Sequence, residues 1–201
     1  MTFAIAQDLN PQLEAPAKGQ IVILNGTSSS GKSTVAAQLQ KLLAEPYFHF
    51  AIDRFRLMGA GKDWTADEFA VVMQRTILGF HRAVAGFAAA GNNVIVDYVM
   101  GERWRLADCV ATFADYDVVL VGLHCPAEEL ERRERERGNR PVGLAAFQFP
   151  IVHENMRYDV EVNTNGREPR DCAQEIKNFL AKGVRPRALP GLASVSAGAS
   201  L

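Results

Sequence analysis

The chain has 201 residues, 48% of them hydrophobic, which suits one domain with a sizeable core and excludes a multidomain machine, since domains usually run to about 100–200 residues. Twenty-two basic against 23 acidic residues leave a formal charge of −1, so no general positive field draws the protein to nucleic acid or to an anionic membrane, and neither is expected as a partner. No stretch approaches the roughly 18–20 apolar residues of a membrane-spanning helix. The N-terminus has no basic start followed by an apolar run, so a secretory signal is not expected. Cys109, Cys125 and Cys172 form no CxxC pair, as expected of reduced thiols in a cytoplasmic protein.

In chain order, residues 1–19 carry Pro11 and Pro16 and no apolar period, and read as a flexible arm. A first strand is predicted over Ile21–Asn25 and a helix over Lys32–Leu43, with Val35, Leu39, Leu42 and Leu43 at helical spacing. A second strand is predicted over Tyr47–Ile52. The next helix, Thr65–Ala90, is the best marked, because Thr65 and Glu68 fit a capping box and Gly91 stands where a helix would stop. Three strands follow, Asn93–Val96, Val118–His124 and Val160–Asn163, and a last helix begins near Pro169. Residues 183–201 are rich in Gly, Pro, Ser and Ala and read as a flexible tail. Short apolar runs alternating with amphipathic ones are the pattern of a parallel sheet with crossover helices, so the expected domain, residues 20–182, is a three-layer α/β/α fold around a five-stranded parallel sheet.

Directly after the first strand, Gly26, Gly31, Lys32 and Ser33 match G-x-x-x-x-G-K-[ST] without a mismatch. At this chain's own residue frequencies such a match arises by chance with a probability of roughly 0.3%. The two glycines let consecutive N–H groups turn inward around a phosphate, and the following helix adds its positive end. Gly26, Thr27, Ser28, Ser29, Ser30, Gly31, Lys32, Ser33 and Thr34 are therefore the expected nucleotide-binding residues. Lys32 would bring a point charge to the outer phosphates and Ser33 a hydroxyl to magnesium. A guanine-reading N-K-x-D is missing, and the chain is too short for a motor ATPase, which leaves the nucleotide and small-molecule kinases.

Around the loop, Asp53 ends the second strand candidate on the edge where a parallel sheet gathers its C-terminal strand ends. It reads as a base for an acceptor hydroxyl, or as a helix cap. Asp97, closing VIVD, is placed to hold magnesium with Ser33. Residues 128–140 hold five Glu and five Arg. The pairs Glu128–Arg132, Glu129–Arg133 and Glu131–Arg135 support a solvated helix that Gly138 would end. Arg133, Arg137 and Arg140 could equally converge on a transferring phosphate from a lid over about residues 127–142. His153 reads as a packing or hydrogen-bonding residue.

The chain resembles the chloramphenicol phosphotransferase family of P-loop kinases. The resemblance is carried by ILNGTSSSGKS at the loop, FAID ending strand two, VIVDYV on strand three, the R-x-x-x-R-G-[DN]-R segment from Arg133 to Arg140, and IVHE followed by YDVEV at 151–162. It implies a nucleotide- and shikimate-kinase-like fold, ATP and magnesium as cofactors, and transfer of the γ-phosphoryl group to a hydroxyl of a small molecule with Asp53 as base. Between Asp53 and the capped helix stands only RFRLMGAGKDW, shorter than in the antibiotic kinase that names the family. Phe55, Leu57, Met58, Trp64, Tyr98 and Met100 would suit an apolar or aromatic acceptor such as chloramphenicol. Arg54 and Arg56 would suit an anionic one, as in a kinase for a nucleotide, sugar or nucleotide-sugar, toxin-like kinases included. A nucleotide-binding module without transfer activity is the third reading.

Overall fold

The computed structural model describes residues 16–59, 63–138 and 143–192. Five strands, β1 (Ile21–Asn25), β2 (Tyr47–Ala51), β3 (Asn93–Tyr98), β4 (Val118–His124) and β5 (Val160–Asn163), form one sheet in the order β2-β3-β1-β4-β5. Every pairing is parallel, with Asn25 opposite both Tyr98 and Gly122 and Ala51 opposite Asp97. The apolar runs that predicted five strands thus sit where the sequence put them. Two ends differ: Ile52 leaves the sheet to begin a helix, and β3 continues two residues past Val96.

The crossovers place helices on both faces. Against one face, α1 (Lys32–Leu42) and α7 (Pro169–Leu180) close a core with Val22, Leu24, Ile95 and Val121. The opposite face packs Ile21, Ile23, Val94 and Leu120 against α3 (Ala66–Ala89) and α4 (Arg103–Thr112). Thr65 caps α3 through the expected reciprocal pair with Glu68. The short α2 (Ile52–Met58) precedes it, and α5 (Ala127–Arg137) and α6 (Leu144–Val152) stand between β4 and β5.

Part of the segment expected to be a loose tail is packed. In α8 (Ala188–Gly191) and just after it, Leu189 and Leu192 are buried in the same core as Leu120. Asp159 fastens the segment: its carboxylate accepts the N–H groups of Arg187 at 2.8 Å, Ala188 at 3.0 Å and Leu120 at 2.9 Å. The N-terminal boundary is likewise tied down, the Gly19 N–H donating to the Ala88 carbonyl at 2.8 Å.

Candidate phosphotransfer site

Because every strand runs the same way, the ends at Asn25, Ala51, Tyr98, His124 and Asn163 share one edge of the sheet. The loop of residues 26–33 leaves β1 there and turns into α1. Gly26 is required by close packing, since a Cβ would stand 2.7 Å from the Leu123 carbonyl oxygen. Gly31 caps α1 at φ 91°, in the left-handed region that favours glycine. Thr27, Ser28 and Ser30 are buried, and the buried hydroxyls of Ser29 and Ser30 have no hydrogen-bond partner among the described residues. The first turn of α1 carries no acidic residue, so its positive end is not offset there. A buried loop with uncommitted donors at a helix start fits a phosphate group.

The charged residues of this edge meet around that loop. Lys32 is buried; its Nζ donates to the Thr27 carbonyl at 2.7 Å and lies 4.0 Å from Asp97. The Ser33 hydroxyl, at the start of α1, donates to the Asp97 carboxylate. Burial works against the charge on Asp97, but the His49 imidazole 3.9 Å away, Lys32 and Ser33 outweigh it and hold the carboxyl below its ordinary range. The hydroxyl of Ser33 and the carboxylate of Asp97 are a two-oxygen set. That set fits magnesium, which usually takes one or two protein ligands and completes its shell with phosphate oxygens and water. Among the described residues no cluster of three or more His, Cys, Asp or Glu offers a fuller metal cage.

Asp53 stands two residues beyond Ala51, the register partner of Asp97, and therefore on the same edge. It is half exposed and pairs with Arg56 at 3.5 Å. Arg56 also lies over the Phe69 ring, 5.8 Å from its centroid. Arg54 is exposed, and Leu57 and Met58 are 73% and 77% exposed. Three other residues expected to suit an acceptor are elsewhere. Phe55 turns inward against Phe50 and Phe80, with ring centroids 5.8 and 5.0 Å away. Tyr98 is 1% exposed and hydrogen-bonds His81 Nε2 at 2.9 Å in the core. Met100 is buried as well, its N–H donating to Asn25 Oδ1.

The arginines separate along α5. Arg133 reaches the loop, donating to the Ser29 carbonyl at 3.5 Å and the Thr164 carbonyl at 2.9 Å while Glu129 holds its Nε at 2.7 Å. Arg137, one turn further on, is exposed, as is Thr34; Arg140 lies outside the described residues. Arg132 pairs with Glu129 and Glu136 rather than Glu128, whereas Glu131–Arg135 forms as expected.

Several residues that meet the site carry no sequence motif. His49 reaches Asp97 because β2 places it diagonally across from β3. Gln148 accepts the Ser28 N–H at 2.6 Å through Oε1. Glu134, buried in α5, accepts the Gly143 and Ala145 N–H groups and so caps α6. Beside Thr27 a cavity of about 400 Å3 opens between His124, Cys125, Phe149 and His153. His153 packs there, stacked on His124 at 4.1 Å and hydrogen-bonded to the Tyr158 hydroxyl at 2.7 Å; burial and His124 push its pKa down to about 4.

Fold and loop together define a P-loop kinase architecture. A family model described as chloramphenicol phosphotransferase-like protein matches residues 19–181, and the chain belongs to that family. It is 29% identical over 182 residues to a Mycobacterium tuberculosis protein named "Putative O-phosphotransferase Rv2636", with 79% of this chain and 81% of that protein covered. Among solved structures, the APS kinase CysC of M. tuberculosis in complex with AMPPNP and APS superposes with a TM-score of 0.64 at 20% identity, covering 83% of this chain and 99% of that one. Shikimate kinase from Acinetobacter baumannii in complex with shikimate gives 0.61 at 20%, covering 83% and 96%. At these identities the superpositions speak for the fold. Among the described residues no helix is long and apolar enough to cross a membrane.

Proposed function

We propose that the protein is an ATP-dependent O-phosphotransferase that moves the γ-phosphoryl group of ATP to the hydroxyl of a small, apolar-bodied alcohol. The observation that carries this is the meeting, on one sheet edge, of a buried phosphate loop, the Ser33–Asp97 oxygen pair and Asp53. Lys32 and the loop amides beyond Ser28, whose N–H is held by Gln148, bind the phosphates, and Arg133, fixed beside Ser29, supplies charge to the phosphoryl group in transfer. Arg137 and Arg140 are the further candidates for that charge. Ser33 and Asp97 would hold magnesium, which would supply positive charge to the phosphates. Asp53 takes the acceptor proton as the acceptor oxygen bonds to the γ-phosphorus, the bond from that phosphorus to the bridging oxygen breaks, and ADP leaves.

The side chains near Asp53 support the apolar acceptor. Leu57 and Met58 on the same helix are exposed, and on α6, which meets the phosphate loop through Gln148, Phe147 and Phe149 are exposed as well. Exposed apolar groups near a site suit a ligand with an apolar body. Arg56, which would grip an anionic acceptor, is instead turned to Asp53 and Phe69. The test is product analysis by mass spectrometry with ATP, magnesium and a panel of chloramphenicol, other aromatic alcohols, sugars, nucleosides and nucleotides. Phosphorylation of neutral aromatic alcohols, lowered at least about 10²-fold in Asp53→Asn with nucleotide affinity kept, is expected. Transfer confined to charged acceptors and lost in Arg56→Ala would move the reading to the nucleotide or sugar kinases. Nucleotide binding without transfer to any acceptor would leave a binding module.

A further inference from the structure

The helix over the loop is almost without polar groups. Of the nine residues of α6, LAAFQFPIV, eight are apolar and Gln148 alone is polar. Its amide does not hang in solvent: Oε1 accepts the N–H of Ser28, a residue 1% exposed, at 2.6 Å. Since a backbone N–H is a donor, the carboxamide oxygen must face it, and the NH2 group must then point away from that bond. Among the described residues Nε2 has no protein partner.

Two contacts make this placement firm. Glu134 ties the start of α6 to α5, accepting the Gly143 N–H at 2.7 Å and the Ala145 N–H at 3.1 Å. Arg133, the neighbour of Glu134 in the chain, rests on the Ser29 carbonyl and on Thr164. The pair of helices therefore touches two consecutive loop residues, with a cation at the Ser29 carbonyl and a carboxamide at the Ser28 amide.

We propose that Gln148 is a further substrate-contacting residue of the transfer reaction, a neutral donor whose oxygen is pinned by Ser28 and whose Nε2 hydrogens are offered to the phosphoryl group in flight. The inference rests on the phosphotransferase reading above. During transfer, negative charge spreads over the three equatorial oxygens of the moving group, and donors fixed beforehand in a water-poor site stabilise it most. Lys32 and Arg133 approach from the loop and from α5. Gln148 comes from α6, the element that bears the exposed Phe147 and Phe149, and it adds a hydrogen bond without adding charge. A donor of this kind acts on the moving group and leaves the binding of the remaining diphosphate unchanged, which is the condition for raising turnover instead of ground-state affinity.

The experiment compares ADP with ADP plus aluminium fluoride, a mimic of the phosphoryl group in transfer, both with magnesium, by titration calorimetry on the full chain. Gln148→Ala is expected to leave ADP affinity within about twofold and to weaken the aluminium fluoride complex about tenfold or more, the scale of a hydrogen bond to a charged group. Gln148→Glu keeps an acceptor for Ser28 but loses the donor and adds a negative charge, and is expected to weaken that complex further. Gln148→Met preserves the helix and the volume, and is expected to match the alanine variant. Equal losses for both ligands would reduce Gln148 to a structural role, and no loss would remove it from the site. Tighter ADP binding by Gln148→Ala would make it a plug on the Ser28 amide; each of these three results overturns the proposal. A wild-type protein that binds no ADP would instead overturn the nucleotide-dependent reading itself.

Discussion

Glu134 gives the sharpest test of how the site is assembled. Its carboxylate is 1% exposed and serves as the acceptor for two N–H groups at the start of α6, those of Gly143 and Ala145, and Ala145 is itself fully buried. A hydrogen bond to a charged group contributes about 1.5–3 kcal/mol, so truncation to alanine removes about 3–6 kcal/mol of interaction if nothing relaxes. The start of α6 is partly open to water, which can satisfy the Gly143 N–H, and the expected net cost is about 2–4 kcal/mol. Glu134→Gln is not conservative here. Its amide can offer one oxygen to one N–H, but its NH2 then faces the other donor, so the expected loss is at least half that of alanine. Urea unfolding followed by circular dichroism reads the global cost, and hydrogen exchange at the Ala145 amide reads the local one. The exchange of Ala145 is expected to accelerate by at least about tenfold in both variants. If both variants stay within about 0.5 kcal/mol of the wild type and Ala145 exchanges no faster, the carboxylate does not hold α6 and the link between α5 and α6 is refuted.

Two further outcomes follow from the buried polar groups. His153 is pushed down to about 4 from an ordinary 6.5, so between those values the unfolded chain binds more protons than the folded one. Its contribution is complete above about pH 6.5 and lost as the pH falls toward 4, by up to about 3 kcal/mol. His81 is also lowered, by burial against the pull of Asp108, so the informative quantity is a difference: the loss of stability between pH 7 and pH 4.5 should be smaller in His153→Gln than in the wild type, and equal losses would contradict the shift. Tyr98→Phe removes the hydroxyl that partners His81 Nε2 and is expected to cost about 1–2 kcal/mol in urea unfolding, with the KM for the acceptor unchanged. A raised KM without a stability loss would return Tyr98 to the acceptor site.

The parts of the molecule legible in the sequence are those whose physics is local. The loop motif, the Thr65–Glu68 cap and the apolar strands each need only their own neighbours, and the structure shows each in its expected position. Tyr98 shows how a small boundary error changes a role. Ending the third strand at Val96 frees Tyr98 to face a ligand. Continuing it by two residues makes Tyr98 follow Val94 and Val96 onto the α3 face, while Ile95 and Asp97 take the α1 face. The same alternation brings His49 toward Asp97, but only once the β2–β3 register is known. Helix α6 escaped detection because it has no polar face to give a period and carries Pro150 inside it. With α6 unseen, neither Gln148 nor the cap by Glu134 could be read. Yet Glu134 stands one turn after Leu130 and shares its buried face in a helix in which every residue but Ala127 and Leu130 is charged. The arginines make the same point through distance. Arg133 and Arg137 occupy one face of α5, and spacing treats them alike. A turn advances the helix by about 5.4 Å, and that step separates the guanidinium that reaches Ser29 from the one that stands in solvent. What spacing leaves open is the level at which a helix meets its neighbour. Here that level is fixed by contacts far apart in the chain, Arg133 with Thr164 and Glu134 with Gly143, so they decide which residues of a charged run belong to the site.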